Sequence, residues 1–429
     1  MEVAILFFLL FGLMTIGVPV AFVLGFTSFV TILLTPGLPS VVIVQQMFTG
    51  LDSFVLLAVP FFMLAGDIMN RSGISERLLR LAHAMVGHIT GGLAHVNVVV
   101  SMFFGGISGS STADTAAIGS VLIPAMIKQG YAKGIAVAVT AASSTLGVVI
   151  PPSILMIIFG SVAGVSIAGL FLGGMIPGIL IGLGQMCIVL ILAIKRNYPK
   201  EKRASLGESL KAFAGALLPL GTPLVIIGGI VGGVFTATEA AMVAVVYSLF
   251  LGVVIYRTIK VRELPKILAE NAILCSLTLF CVATASVFGW LLAYYDVPDD
   301  IVRIMEHFGK SPFFVFLLIN IVFLTVGTFM DAVPAMIILV PLIIPLAEHV
   351  GIHPIHLGVV VVMNLALGLI TPPYGLCLLL AATLAGMPIR QAVKSTALFY
   401  LVMLLILFAV SYIEAIAMTM PKLIIPHLL

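Results

Sequence analysis

Of the 429 residues, 62% are hydrophobic and only 9% charged, against roughly a quarter charged in soluble domains. No globular interior absorbs that much apolar surface, so composition excludes a soluble protein and predicts an all-α polytopic membrane protein. The formal charge of +3 says little about partners, and nothing in it implies nucleic acid; the partner it implies is the lipid bilayer.

The first apolar run, residues 3–34, exceeds the ~20 residues that cross a bilayer core. With no basic segment or small-residue cleavage site, it reads as a retained span. Residues 54–69 bring the chain back to Arg71. Residues 75–88 are apolar at three- and four-residue spacing and too polar to span, which predicts an interfacial helix. Residues 91–126 are broken centrally by Gly105-Gly106-Ile107-Ser108-Gly109-Ser110-Ser111-Thr112, which suits a re-entrant hairpin returning to Lys128 and Lys133 on the same side. The span 135–163 contains Gly147-Val148-Val149-Ile150-Pro151-Pro152-Ser153, where a helix must open. Residues 167–194 then return to Lys195, Arg196, Lys200, Lys202 and Arg203.

Residues 210–235 go out, 237–256 come in to Arg257, Lys260, Arg262 and Lys266, and 269–293 go out to an acidic turn at Asp296, Asp299 and Asp300. A second interfacial helix carries Arg303 and Lys310. Residues 313–346, interrupted at Gly327-Thr328-Phe329-Met330-Asp331-Ala332-Val333-Pro334, read as a second hairpin. The span from Ile355 carries a second double proline, Gly368-Leu369-Ile370-Thr371-Pro372-Pro373-Tyr374-Gly375, inward to Arg390 and Lys394, and 392–410 end outside. This threading puts seventeen of the twenty Lys and Arg residues on the cytoplasmic side, with the N-terminus inside and the C-terminus outside.

The two halves repeat. Pro124 and Pro345, Gly130 and Gly351, Gly147 and Gly368, and the two double prolines each lie 221 positions apart. Residues 210–235 form the extra crossing that inverts the second unit. Inverted repeats with broken helices are the architecture of secondary transporters, with sites near the midplane at the breaks. The boundaries divide the chain into scaffold (1–90), first hairpin and broken span (91–163), scaffold and second interfacial arm (164–312), second hairpin and broken span (313–386) and a C-terminal span (387–429).

At an opened helix, backbone carbonyls and nearby hydroxyls replace the water shell of a small cation. Candidate Na+ oxygens come from Ser108, Ser143, Ser144, Thr145, Gly147 and Pro151 in the first half and from Gly327, Thr328, Asp331, Asn364, Gly368, Thr371 and Pro372 in the second. A single Ser or Thr in a span is more often a packing residue bonded to its own helix; the clustering at two symmetric breaks reverses that preference. Asp114 and Asp331 stand out as carboxylates at membrane depth, either functional or capping a hairpin helix. Asp67 and Glu239 lie nearer span ends, where a solvated carboxylate is inexpensive. The histidines, His95 and His356 among them, read as interfacial or loop residues, and the four cysteines as packing residues. No phosphate-binding Gly-x-x-x-x-Gly-Lys-Ser/Thr sequence is present, so nothing supports ATP as a direct energy source.

Residues 57–70 (Leu-Ala-Val-Pro-Phe-Phe-Met-Leu-Ala-Gly-Asp-Ile-Met-Asn), the Ser108–Thr115 stretch, Ile150-Pro151-Pro152-Ser153, Phe235-Thr236-Ala237-Thr238-Glu239-Ala240-Ala241 and Gly368–Gly375 together resemble the large membrane subunit of tripartite ATP-independent periplasmic (TRAP) transporters over essentially the whole chain. Ala237 stands where the family usually has proline. The resemblance implies a multi-pass protein of the bacterial inner membrane that imports an acidic organic solute, of the sialic acid or C4-dicarboxylate class, coupled to Na+. It implies two partners, a small four-helix membrane subunit and a periplasmic solute-binding protein, and an elevator-type motion of hairpins and broken spans. An anionic substrate would then meet Ser108, Ser110, Ser111, Thr112, Asp114 and Thr328 at the hairpin tips, beside helix N-termini. The rivals are a standalone anion or ion antiporter of the same architecture and an intramembrane enzyme using Asp114 and Asp331 as a pair.

Overall fold

The computed structural model of this chain describes residues 2–306 and 311–426; Lys310, placed above after the second interfacial helix, lies outside the described residues. Among the described residues the chain is helical, with no strand. The N-terminal part comprises α1 (Glu2–Thr15), α2 (Val20–Leu34), α3 (Val41–Leu51), α4 (Ala58–Arg71) and the amphipathic α5 (Ile74–Val86). A first hairpin, α6 (Gly92–Ser108) and α7 (Ser111–Lys128), precedes a broken span, α8 (Lys133–Ser144), α9 (Leu146–Val149) and α10 (Ile154–Ala163). Then come α11 (Ile167–Lys195), α12 (Leu206–Val231), α13 (Ala237–Leu249, extended by a π-helical turn Phe250–Ile255), α14 (Leu264–Tyr294) and α15 (Val297–Glu306). The second hairpin is α16 (Pro312–Gly327) and α17 (Ala332–His349), the second broken span α18 (Pro354–Gly368) and α19 (Leu376–Leu384), and the chain closes with α20 (Ile389–Tyr412) and α21 (Glu414–Ile424).

The repeat extends to the helix boundaries. Ser111 and Ala332, which open α7 and α17, lie 221 positions apart; so do Lys128 and His349, which close them, and Lys133 and Pro354, which open α8 and α18. The packing is reciprocal as well. The far half of each broken span lies on the other unit's hairpin, α10 against α17 and α19 against α7, and α8 packs on α20 as α18 packs on α11. The near halves, α8 and α18, are buried along their whole apolar length. The core therefore consists of the two helices that break.

Among the described residues seven helical segments are long and apolar enough to cross a bilayer. One of them, α17, reaches that length although its first turn faces an interior cavity, so it is the arm of a hairpin that ends within the protein. The single span expected over residues 3–34 is instead α1 and α2. Gly17 takes a positive φ of 86° and Pro19 supplies no N–H, so the helix stops and restarts there. The helices α3 and α21 were not anticipated. The first hairpin turns only at Gly109 and Ser110, because α6 runs unbroken through Gly105 and Gly106. These glycines serve close approach: a Cβ on Gly105 would sit 2.9 Å from the Leu146 carbonyl oxygen. His95 and His356, expected at an interface or in a loop, are buried, and His356 Nε2 lies 2.8 Å from the Val410 carbonyl oxygen.

The second hairpin docks on its break through Gly327 and Gly368. A Cβ on Gly368 would meet the Gly327 carbonyl oxygen at 2.6 Å, backbone against backbone, with no flexible side chain to give way. Gly368→Ala is therefore expected to destabilise the protein by about 1–3 kcal/mol. Gly12→Ala, with nothing within 4 Å of the new methyl, should leave it unchanged or slightly stabilised. Thermal unfolding of the two purified variants in detergent checks the contrast.

Candidate functional site

Both hairpin tips and both breaks converge on one cavity of about 170 Å³. The first tip contributes Gly109, Ser110, Ser111 and Thr112, and the second Asp331, Ala332 and Val333. Val148 and Leu369 come from the two breaks, while Met63 of α4 and Thr278 of α14 wall the side. The first turns of α7, α17 and α10 all line it, so three helix N-termini direct their positive ends into one space. Among the described residues no Lys or Arg lines the cavity.

Just beneath the first tip, Asp114 is fully buried. Its Oδ1 accepts a 2.5 Å hydrogen bond from Ser108 Oγ, which itself accepts from the Ser110 N–H at 3.2 Å. Asp114 Oδ2 and the buried Ser111 Oγ have no hydrogen-bond partner among the described residues. Gly147 lies against both residues: a Cβ there would collide with Asp114 Oδ2 and stand 3.2 Å from the Ser111 nitrogen. Unpaired buried oxygens on a carboxylate and a hydroxyl, beside an opened backbone, form a donor set that suits a hard monovalent cation. These residues therefore fit the expected Na+ at the first break.

Asp331 is not the counterpart of Asp114. Counting back 221 positions, Asp331 pairs with Ser110, and each is the N-cap of its hairpin's second helix; Asp114 pairs with Ala335. Asp331 Oδ1 accepts from the Ala332 N–H at 2.8 Å while the residue lines the cavity, so capping and cavity lining coincide in one side chain. The first tip, Ser-Gly-Ser-Ser-Thr from Ser108, is rich in hydroxyls, whereas the equivalent Phe329-Met330-Asp331-Ala332-Val333 has only the aspartate. The breaks differ too: Pro151 and Pro152 are buried, while Pro372 and Pro373 are exposed.

The remaining candidates divide. Ser143 sits in a clip between the hairpin and the broken span, donating to Asn97 Oδ1 at 3.1 Å and accepting from Ser101 Oγ at 2.9 Å. Asn364, 221 positions on, occupies the corresponding clip and donates to Asn320 Oδ1 at 2.8 Å. Asn97 and Asn320 were missed from sequence; the available signal was an amide in the middle of each hairpin's first arm. Ser144, Thr145, Thr328 and Thr371 donate to carbonyls of Thr140, Ala142, Thr325 and Leu367 at 2.7–2.8 Å, the bonding of a packed helical hydroxyl, which leaves lone pairs free. Neither Thr328 nor Thr371 lines the cavity. Asp67 pairs with Arg71 at 3.0 Å, and Glu239 closes a capping box with Thr236, so both carboxylates have structural work at span ends. Ala237 leaves that cap intact.

A family model described as "Tripartite ATP-independent periplasmic transporter, DctM component" matches residues 7–416. The chain belongs to this family. It is 39% identical over 377 residues to the C4-dicarboxylate TRAP transporter large permease protein DctM of Pseudomonas aeruginosa, covering 88% of each chain. It is 37% identical over 416 residues to the sialic acid TRAP transporter large permease protein SiaM of Vibrio cholerae, covering 97% of each. The Alcanivorax borkumensis YdaH transporter shares its fold, with a TM-score of 0.59 at 15% identity over 86% of each chain. DctM-family proteins are transporter permeases, and this chain is not an enzyme.

If the cavity where the tips meet is the transport site of this DctM-family permease, filling it must block passage. Thr112→Trp should lower substrate uptake by about tenfold or more, since an indole occupies much of a cavity of about 170 Å³ and each 1.4 kcal/mol of lost binding is a factor of ten. Thr328→Val, off the cavity, should change it little. Uptake normalised to the amount of protein in the membrane distinguishes these outcomes.

Proposed function

We propose that this chain is the Na+-coupled permease of a tripartite importer of acidic organic solutes, of the C4-dicarboxylate or sialic acid class, in a bacterial inner membrane. The observation that carries this reading is one cavity lined by two hairpin tips, two breaks and three helix N-termini, with no basic side chain among the described residues. A carboxylate substrate is served there by helix ends and by the hydroxyls of Ser110, Ser111 and Thr112. Asp114 and Asp331 oppose it electrostatically, so Na+ entering with the substrate would supply the missing positive charge. Ser108, Ser111, Asp114 and the Gly147 backbone are the first-break residues that would hold it. Coupling follows, because without Na+ the anion faces Asp331 in the lining, with Asp114 just beneath the first tip, and no cation.

In this reading the solute arrives from a periplasmic binding protein, and a small membrane subunit completes the assembly. The hairpins and broken spans, docked to each other through Gly105, Gly147, Gly327 and Gly368, move as one body. The helices α4, α5 and α11–α14 form the scaffold against which that body slides, an elevator motion. The concentration of Lys and Arg in the loops of one face supports a cytoplasmic N-terminus.

Uptake by proteoliposomes holding the permease and small subunit, with the cognate binding protein outside, tests the coupling. Replacing Na+ with choline should reduce uptake to background, and transport persisting without a Na+ gradient would sink the proposal. Asp114→Asn should raise the half-saturating Na+ concentration by about tenfold, the loss of one charged interaction of about 1.5–3 kcal/mol. Thr371→Ala, which removes a hydroxyl already bonded to Leu367 and off the cavity, should shift it far less.

A further inference from the structure

Away from the tips, the amphipathic α5 and the start of α12 enclose two adjoining cavities of about 910 and 810 Å³ that share Ala84, Arg203 and Ala204. The first is walled mainly by apolar side chains, among them Leu81, Met85, Phe213 and Leu220, with Phe103 reaching in from the first hairpin. The second is lined by Arg77, Arg80, Lys202, Arg203 and Lys211. A basic chamber therefore opens directly onto an apolar one.

The carboxylates nearby are engaged. Glu201 is paired with His83 at 2.7 Å, and Glu208 is held in the capping box of α12, accepting from the Ser205 N–H at 2.8 Å. Arg77 lies 3.6 Å over the Tyr256 ring and donates to the Gly73 carbonyl oxygen, and Arg80 donates to the Glu76 carbonyl oxygen. Lys202, Arg203 and Lys211 make no hydrogen bond or ion pair among the described residues and are exposed. Three basic side chains without an ion pair among the described residues, two just before α12 and one on it, outnumber Glu208 in the lining at the mouth of an apolar cleft, and match a ligand with an anionic head and a hydrocarbon tail.

We propose that this groove is a binding site for an anionic phospholipid, with the phosphate held by Lys202, Arg203 and Lys211 and an acyl chain along Met85, Phe103 and Phe213. The site lies apart from the cavity of the hairpin tips and needs neither Na+ nor solute. Its lipid would touch the scaffold helices α5 and α12 and the first hairpin arm α6 at once.

Native mass spectrometry of the full-length protein in detergent, with dioleoyl phosphatidylglycerol or dioleoyl phosphatidylcholine added, tests the assignment. Phosphatidylglycerol should bind on the order of tenfold more tightly, since each basic residue near a lipid surface contributes several-fold. The variant combining Lys202→Gln, Arg203→Gln and Lys211→Gln, all at exposed positions, should lose that preference with an unchanged melting temperature. The combination Lys128→Gln with Lys133→Gln, lining neither cavity, should keep it. Equal binding of the two lipids, or a preference surviving the triple substitution, overturns the proposal. Displacement of phosphatidylglycerol by excess inorganic phosphate makes the groove a free-anion site and overturns it as a lipid site. Stoichiometric displacement by the purified small membrane subunit makes it a protein interface and overturns it equally.

Discussion

An opened helix in an apolar interior exposes backbone groups that only the protein itself can satisfy. Each unit answers this with a hairpin tip and a local clip. At the first break Ser153 Oγ donates to the Val148 carbonyl oxygen at 2.6 Å and accepts from the Met156 N–H, joining the two halves of the broken span. At the second, the Tyr374 N–H donates to the Thr328 carbonyl oxygen at 2.9 Å, so the hairpin tip itself supplies the partner. Glycines at 105, 147, 327 and 368 permit the approach. The first break is thus closed within its own span, while the second depends on its hairpin tip for a backbone partner.

Common backbone requirements produced two similar units, but the side chains that face the cavity are not similar. Hydroxyls dominate the first tip and a lone carboxylate the second, and Asp114 has an alanine at its equivalent position. Symmetry therefore governs how the helices open, while asymmetry governs what occupies the opening. The Asn97–Ser143 and Asn320–Asn364 clips belong to the symmetric part. They tie the first arm of each hairpin to the near half of its broken span, with amides where hydrocarbon offers no other partner.

The legible part of this fold was whatever leaves a strong local mark. A double proline inside an apolar run forces an opening, and its recurrence at a fixed offset made the repeat countable. The tip residues followed because hydroxyls and glycines cluster at the hairpin turn. The break between α1 and α2 was missed, since one Gly-Val-Pro barely lowers the hydropathy of a 32-residue window. The asparagine clips were missed for a different reason: Asn97 and Ser143 are 46 residues apart, and only packing brings them together. Asp114 and Asp331 looked alike as carboxylates at depth, and the four-residue difference in their places in the repeat emerged only from the helix boundaries.

Charge placement joins these levels. Seventeen of twenty basic residues fall in the loops that the sequence assigns to one face, and among the described residues none lines the central cavity. A lysine in that cavity would pair with Asp114 or Asp331, and a fixed internal ion pair would leave no electrostatic vacancy for a solute to fill. Helix N-termini avoid this outcome. They carry about half a positive charge each, cannot swing to neutralise a neighbouring carboxylate, and keep their direction only while the hairpin tips stay docked. The backbone docking that satisfies the opened helices thus also fixes the field inside the cavity, so a substitution at Gly147 or Gly368 acts on stability and on anion binding through the same contact.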